Sequence, residues 1–345
     1  MNIRILALLT FLWIGFASGA QKMIWLDSSQ SGASFRGMSI CRDNSIWVSG
    51  SKGTIGKSTD LGKNWSWFKP TGFENRDFRD IEAFNKTTAL AMAVDSPGII
   101  LRTTDGGNTW KVVYENNHHG IFLDDMSFAN ESEGICVGDP LADGRLVVLA
   151  TTNGGEDWEE LSANQRPLVE KGEAMFAASG SNAAPNPEQK RSWLLATGGK
   201  VSRLWMVFPF QKGKEPKTIP LPIQQGQQMT GANGLTTIGS YIMVPGGNYL
   251  DPHRSDSNFA VMYKNRPPQL IELAGGYKSS IADNGYSVRI ACGITGISMH
   301  DGPFPSYPNP WKIISGEPFH VVKVIPGSSQ FILAGPRGRI AQLSF

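Results

Sequence analysis

A short motif occurs three times in the first half of the chain, and it constrains the possible folds more than any other feature. The three copies are eight residues long and end at Trp65, Trp110 and Trp158, so they recur after 45 and 48 residues. Self-similarity at this period indicates propeller blades or solenoid repeats, because each unit buries its apolar face only against its neighbours.

The motif follows the pattern Ser/Thr-x-Asp-x-Gly-x-Thr-Trp and resembles the Asp box, the BNR-type repeat of β-propellers. Its chemistry is structural: the Asp accepts hydrogen bonds from turn N–H groups, the Gly permits positive φ, and the Trp fills the gap beside the hairpin. In propellers with this motif, the box joins the third and fourth strands of a blade, opposite the usual ligand face. The predicted structural residues are Asp60, Gly62, Trp65, Asp105, Gly107, Trp110, Asn153, Gly155 and Trp158.

The strand pattern around the boxes predicts three blades, at residues 35–71, 78–116 and 122–163. Four later segments lack the box but keep a strand–glycine–strand signature, which gives seven units of about 46 residues, a usual blade length. The insertion 181–190 is expected to be a surface loop. Residues 24–27 precede the first blade and are expected to supply the outer strand of the last one, removing exposed sheet edges. We therefore expect an all-β fold: one domain, residues 21–345, forming a seven-bladed β-propeller of four-stranded antiparallel blades.

The N-terminus predicts export. Arg4 precedes an apolar run that ends at Phe16, and small residues lead to a cut after Ala20, as in a cleavable secretory signal peptide; an uncleaved anchor is the alternative. No later segment is apolar for long enough to cross a bilayer, so we expect a secreted or periplasmic protein that is not membrane-spanning after signal removal. The three cysteines, Cys41, Cys136 and Cys292, lie in apolar strands and are expected to be buried.

Composition and motifs exclude several classes of function. A net charge of +2 argues against nucleic-acid binding, which needs many cations to neutralise phosphates. The five histidines show no metal-ligand spacing and there is no Cys-x-x-Cys, so no metal site is expected. No glycine-rich dinucleotide motif opens a helix after a strand, and we expect no cofactor.

The loops that lead into the inner strands, and those between second and third strands, should meet at one mouth of the channel. Arg36 and Arg79 each follow a Phe at the same blade position and should point toward the axis. Convergent arginines suit a carboxylate, a phosphate or an acidic partner surface. The predicted ligand-binding residues are Arg36, Lys52, Arg79, Asp80, Asp125, Lys200, His253, Arg254 and Arg337.

Residues 34–37 and 47–54, followed by the first box, resemble the photosystem II assembly and stability factor family, and the resemblance extends over 34–158. It implies an exported seven-bladed propeller that binds membrane-protein partners without catalysis, and an arginine patch extended here to Arg36 and Arg79. We therefore expect a monomeric binding or assembly platform that recognises a protein or glycan partner at the channel mouth.

The alternative is a glycoside hydrolase similar to the sialidase or xyloglucanase propellers. Such an enzyme needs two carboxylates about 5 to 10 Å apart across the sugar. Asp80, Asp95, Asp125 and Asp139 are the residues that could supply them. The Phe-Arg-Ile-Pro motif of sialidases is matched only at Phe35-Arg36.

Overall fold

The computed structural model describes residues 21–30, 32–303 and 310–345. The predicted signal peptide, Met1 to Ala20, lies outside these residues. The described chain is all-β, with one 3-10 turn at Ala163–Gln165, so the expected fold class is confirmed at this level. None of its helical segments has the length and apolar character needed to cross a membrane.

The first strand, β1 (Lys22–Asp27), precedes three antiparallel four-stranded sheets. The first sheet contains β2 to β5, at Phe35–Ile40, Ile46–Gly50, Ile55–Ser58 and Ser66–Phe68. The second contains β6 to β9, at Phe78–Ala83, Ala89–Ala93, Gly98–Thr103 and Lys111–Asn116. The third contains β10 to β13, at Leu123–Phe128, Gly134–Pro140, Leu146–Thr151 and Glu159–Glu160.

A ten-stranded sheet follows in the chain. Its first half contains β14 to β18, at Glu173–Ala174, Ala183–Pro185, Trp193–Gly199, Arg203–Val207 and Lys217–Pro220. Its second half contains β19 to β23, at Thr230–Ala232, Thr236–Ile238, Tyr241–Asn248, Phe259–Tyr263 and Gln269–Leu270. The short strand β19 joins the halves, because it pairs with both β16 and β21.

Two more four-stranded sheets complete the structure. One contains β24 to β27, at Ser280–Asp283, Val288–Gly293, Gly296–Asp301 and Lys312–Ser315. The other contains β28 to β30, at Val321–Val324, Phe331–Ala334 and Ile340–Ser344. Strand β1 pairs antiparallel with β30 at its outer edge, which confirms the predicted role of residues 24–27.

The first strands of successive units contact one another around a circle. The order is β2, β6, β10, β15, β20, β24 and β28, and β28 contacts β2 again. Apolar clusters fill the spaces between neighbouring sheets, for example Trp47, Phe78 and Trp110 between the first two. Each unit thus buries its apolar side chains against its neighbours, as the repeat requires. All three cysteines are buried and free, as expected.

The three boxes form the predicted turns. The Asp105 carboxylate accepts hydrogen bonds from the Thr109 N–H (2.9 Å) and hydroxyl (2.6 Å), and the Trp110 indole donates to the Gly107 carbonyl at 3.1 Å. These hydrogen bonds hold the pKa of Asp105 at about 2. Asp60 accepts equivalent bonds from Asn64, at 2.9 and 2.7 Å.

The third box reaches the same turn with different chemistry. The Asn153 side-chain oxygen accepts from the Asp157 N–H at 3.1 Å, and its amide donates to the Asp157 carboxylate at 3.0 Å. The bond between the two side chains therefore runs in the opposite direction from that of the Asp–Thr pair in the second copy, and the backbone N–H bond is the same in both. The indole N–H of Trp158, by contrast, has no hydrogen-bond partner among the described residues.

The insertion at 181–190 is not the surface loop that its sequence suggested. Ala183–Pro185 forms the inner strand β15, which pairs with β16. The Asp125 carboxylate accepts a hydrogen bond from the Ala183 N–H at 2.5 Å and anchors the start of this strand.

Candidate functional site

Two arginines lie side by side where the inner strands begin. Arg36 on β2 and Arg79 on β6 each occupy a register shift, after Phe35 and Phe78, respectively. A bulge leaves one residue unpaired and re-aims its side chain, which explains why both leave their sheets at equivalent positions. Burial, and then the neighbouring Arg79 charge, lower the pKa of Arg36.

The two guanidinium groups are only partly neutralised. Arg79 forms an ion pair with Asp77 at 2.9 Å, and both side chains are more than a quarter exposed. Arg36 forms no ion pair within the described part of the chain; it donates one hydrogen bond, at 3.2 Å, to the carbonyl of Ala178. Two cations with one ion-paired carboxylate form a site for an anionic group, although the charge of Arg79 also acts on the buried Asp124 carboxyl.

A buried segment crosses the axis beneath the arginines. We call residues 175–181 the axial plug. Its Ala177 and Ala178 carbonyls accept hydrogen bonds from Arg79 and Arg36, each at 3.2 Å. On the far side, the Ser179 hydroxyl donates to the Ser279 carbonyl at 2.6 Å. The plug is therefore held by three different sheets.

Gly180 allows the plug to pass closely over β6. Its φ is +53°, and a Cβ atom there would lie 2.2 Å from a carboxyl oxygen of Asp80. Only glycine combines this backbone conformation with so close a contact.

Aromatic and histidine side chains complete the arginine face. The Tyr249 ring, 42% exposed, makes an edge contact with Tyr277, with ring centroids 5.6 Å apart. The Tyr277 hydroxyl donates to Asn233 at 2.9 Å. Burial, followed by the charges of Arg36 and Arg79, lowers the pKa of His320 to about 3. His320 is therefore neutral near pH 7 and adds no charge.

The other residues predicted for this face lie at its rim. By the antiparallel alternation of the strands, loops between the second and third strands of each unit lie on the same face as Arg36. Lys52, Asp95 and Arg337 are exposed there at φ of 59°, 67° and 60°, respectively. Lys200, His253 and Arg254 are also exposed. Arg254 pairs with Asp256 at 2.7 Å.

Asp80 and Asp125 form a buried carboxyl pair. They are 1% and 0% exposed and lie within hydrogen-bonding range of each other. Asp80 accepts from the N–H groups of Ile81 (2.8 Å) and Met126 (2.6 Å). Burial raises the pKa of Asp80, and it raises that of Asp125 well above its ordinary value. The two carboxyls are in direct contact and closed to substrate. They therefore lack the separation of about 5 to 10 Å that a glycosidase uses.

A second pair of carboxyls lies between β10 and the plug. Asp139 accepts from the N–H of Met175 at 3.0 Å, and burial raises its pKa to about 6. Asp124 is fully buried; burial, and then the charge of Asp139, raise its pKa well above normal. No group of three or more His, Cys, Asp or Glu in the described ranges is arranged to hold a metal ion.

The structure brings Arg36 and Arg79 together, and sequence reasoning missed what lies around them. It did not identify the axial plug, the Tyr249–Tyr277 pair or His320. One signal was available: the run of small residues from Ala177 to Ser181 has too few polar side chains for an exposed loop.

The fold is that of solved β-propellers. The chain is similar to YCF48 from Cyanidioschyzon merolae, with a TM-score of 0.64 and 13% identity over 93% of this chain and 98% of that one. YCF48 bound to a D1 peptide gives a TM-score of 0.62 at 13% identity, over 94% and 97% of the two chains. The Pan2 WD40 domain of Neurospora crassa also gives 0.62 at 13% identity, over 93% and 94%.

No protein-family model matches the sequence. No curated protein matches it either. The similarity to solved structures, at these identities, therefore establishes a β-propeller fold.

Proposed function

We propose that the protein is a binding platform that holds an acidic segment of a partner protein on its arginine face. The observation that carries this proposal is the adjacent pair Arg36 and Arg79. Among the described residues, the two arginines have only one ion-pair partner between them, Asp77. A partner carboxylate can complete the charge balance, and the exposed ring of Tyr249 offers an apolar contact beside it. The D1 peptide bound to YCF48, a protein of similar fold, supports a protein partner.

The proposed architecture is a propeller of seven blades. The ten-stranded sheet contains two antiparallel paths of four strands, β15 to β18 and β20 to β23, linked by β19. Two blades in that sheet and one in each of the five other sheets make seven, which agrees with the seven inner strands around the circle.

The proposed mode of action is binding without catalysis, by a monomer. A glycan partner is less favoured, because a neutral sugar would leave the charge of Arg36 uncompensated. The glycosidase alternative is weakened by the direct contact and burial of Asp80 and Asp125.

Substituting the arginines tests the proposal. We expect Arg36→Gln with Arg79→Gln to weaken binding of a peptide ending in Asp-Glu-COOH by at least tenfold. Glutamine keeps a donor for the plug carbonyls but removes the charge. Affinity would be measured by titration calorimetry on the mature protein. The comparison ligand is the same peptide with a neutral Asn-Gln-CONH₂ end. Lys111→Gln with Lys217→Gln, exposed on the outer strands β9 and β18, is the matched control and should change affinity less than threefold. Equal affinity of the arginine variant and the parent would disprove the proposal.

We also propose that the protein is exported, either to a periplasm or to the medium. The support is the sequence of Met1 to Ala20, with its apolar run and small residues before the cut. N-terminal sequencing of the protein from the envelope and extracellular fractions should give a chain beginning at Gln21. A chain that keeps Met1 and stays in the cytosol would contradict export.

A further inference from the structure

A chamber lies on the axis, on the opposite side of the plug from the arginines. Two adjoining cavities of about 400 and 210 Å³ share the lining residues Glu82, Ser181, Leu235, Thr236, Thr237 and Lys323. We call the combined space the axial chamber. Its walls are the later halves of the inner strands, so it lies toward the face that carries the Asp turns. Ser181, the last residue of the plug, separates it from the arginine face.

Two charged side chains on the wall of this chamber have no direct partner. Glu82 on β6 and Lys323 on β28 form no hydrogen bond and no ion pair within 4 Å among the described residues. Two buried arginines elsewhere do have carboxylate partners: Arg289 lies 2.7 Å from Asp283, and Arg166 lies 2.9 Å from both Asp143 and Glu160. Both side chains are half-buried and border the chamber, so an unpaired carboxyl and an unpaired ammonium in one cavity offer a ligand two contacts of opposite charge.

The charges are nevertheless close enough to influence one another. Burial, and then the charge of Asp80, raise the pKa of Glu82 to about 8, and the charge of Lys323 opposes that rise. The Lys323 charge also opposes the raised pKa values of Asp80 and Asp125. Glu82 and Lys323 thus face a common space but lie too far apart for a direct salt bridge.

We propose that the axial chamber binds a small zwitterion, with its ammonium group on Glu82 and its carboxylate on Lys323. A simple cation would leave Lys323 uncompensated, and a simple anion would pair with Lys323 but leave Glu82 protonated, as it is in the free protein near pH 7. A neutral sugar would compensate neither group. A ligand that carries both charges can pair with the Glu82 carboxyl and the Lys323 ammonium at once. The threonines at 236 and 237 also line the chamber. The chamber volume is within the range of small-molecule sites.

Proton release gives this proposal a distinctive readout. The charged groups around Glu82 are Asp80 on its own strand, Asp125 on β10 and Lys323 on β28, and Cys41 is also near. Asp283 on β24 lines the chamber as well, and it is paired with Arg289. A bound ammonium group favours the ionised form of Glu82. Binding at pH 7 should therefore release a proton, and affinity should rise with pH up to about 8.

The experiment is a calorimetric titration of the mature protein with glycine, β-alanine and 4-aminobutyrate, whose charges lie at increasing separation. Acetate and methylammonium serve as single-charge probes. We expect at least one zwitterion to bind at least tenfold more tightly than both. If no zwitterion binds more tightly than the single-charge probes, the proposal is wrong, whatever the variants do.

Variants then locate the site. Lys323→Met and Glu82→Gln should each weaken binding of the best zwitterion at least tenfold, and Glu82→Gln should abolish the proton release. Lys217→Met and Glu159→Gln, exposed on outer strands, are the matched controls and should bind like the parent. If Lys323→Met does not fold, Lys323→Gln replaces it. Parent-like affinity in the chamber variants would place the zwitterion elsewhere and overturn the proposal.

Discussion

At the scale of single residues, Asp80 and Asp125 occupy equivalent positions in neighbouring sheets but use their oxygens differently. Both oxygens of Asp80 accept backbone N–H bonds, whereas Asp125 uses one oxygen for Ala183, and its other has no donor. With a proton on that second oxygen of Asp125, the oxygen donates a hydrogen bond to Asp80, and all four carboxyl oxygens of the pair have a partner. The raised pKa of Asp125 fits this arrangement.

This arrangement predicts opposite outcomes for two isosteric changes. In Asp125→Asn, the amide replaces the protonated oxygen and still donates to Asp80, so the free energy of unfolding at pH 4 should stay within about 0.5 kcal/mol of the parent. In Asp80→Asn, an N–H group would face another N–H group, and stability should fall by about 2 kcal/mol. Urea unfolding of both variants provides the test. A larger loss in Asp125→Asn than in Asp80→Asn would reverse the assignment of the proton.

The same pair makes stability depend on pH. A carboxyl with a raised pKa in the folded state keeps its proton where the unfolded chain, with a pKa near 3.9, has lost it. Its contribution to stability therefore falls as pH rises above about 4. Asp125→Asn lacks this carboxyl, so its free energy of unfolding should fall less steeply with pH than that of the parent. The difference in slope should be about 1.4 kcal/mol per pH unit over the titration range of the pair. Asp60→Asn is the control, since the pKa of Asp60 is about 2 and its titration lies below this range.

Sequence could identify some of the site residues and not others. Arg36 and Arg79 were found because each follows a Phe at the same position of a repeat. Glu82 on β6 and Lys323 on β28 do not belong to a sequence motif that recurs in the repeats. They border one cavity only because the ring brings their strands together. A residue whose partner lies in another blade leaves no local pattern.

At the scale of elements, the Asp turns were predictable because their hydrogen bonds join residues four positions apart. The axial plug was not. Its contacts run to Arg36, Arg79 and Ser279, about 100 or more residues away in the chain. The inner strand β15 was missed for the same reason, because Asp125 and β16 stabilise it and its own sequence is short and rich in small residues. Local chemistry therefore predicted the turns, and long-range packing determined the elements on the axis.

At the scale of the whole molecule, the plug divides the axis into two separate compartments. Arg36 and Arg79 donate to its carbonyls from one side, and its residues Gly180 and Ser181 line the chamber on the other. The arginine face and the chamber can therefore be tested independently: variants of Lys323 should keep parent affinity for an acidic peptide.

Closure of the ring depends on β1. Met23 and Leu26 are half-buried in apolar clusters, and Trp25 stacks on Phe319 with ring centroids 5.9 Å apart. A chain that begins at Ser28 should lose about 3 kcal/mol of stability, since these contacts are lost and the edge of β30 is exposed. Thermal unfolding measures the loss.

A synthetic peptide of residues 21–28, added in excess, should restore most of the lost melting temperature by pairing with β30. A peptide of the same composition in scrambled order is the control and should not restore it. A shortened chain that melts at the temperature of the parent would show that β1 does not stabilise the ring.

The β1–β30 pairing also has a kinetic consequence. Its bonded residues lie 322 positions apart, so the last sheet cannot be completed until the ribosome has synthesised almost the entire chain. Pairings of such long range form slowly, because the chain loses the entropy of closing the loop before the contact can stabilise it. During synthesis the early sheets can form in order, but the ring stays open. Completion of the ring therefore waits until β30 has been synthesised and can pair with β1.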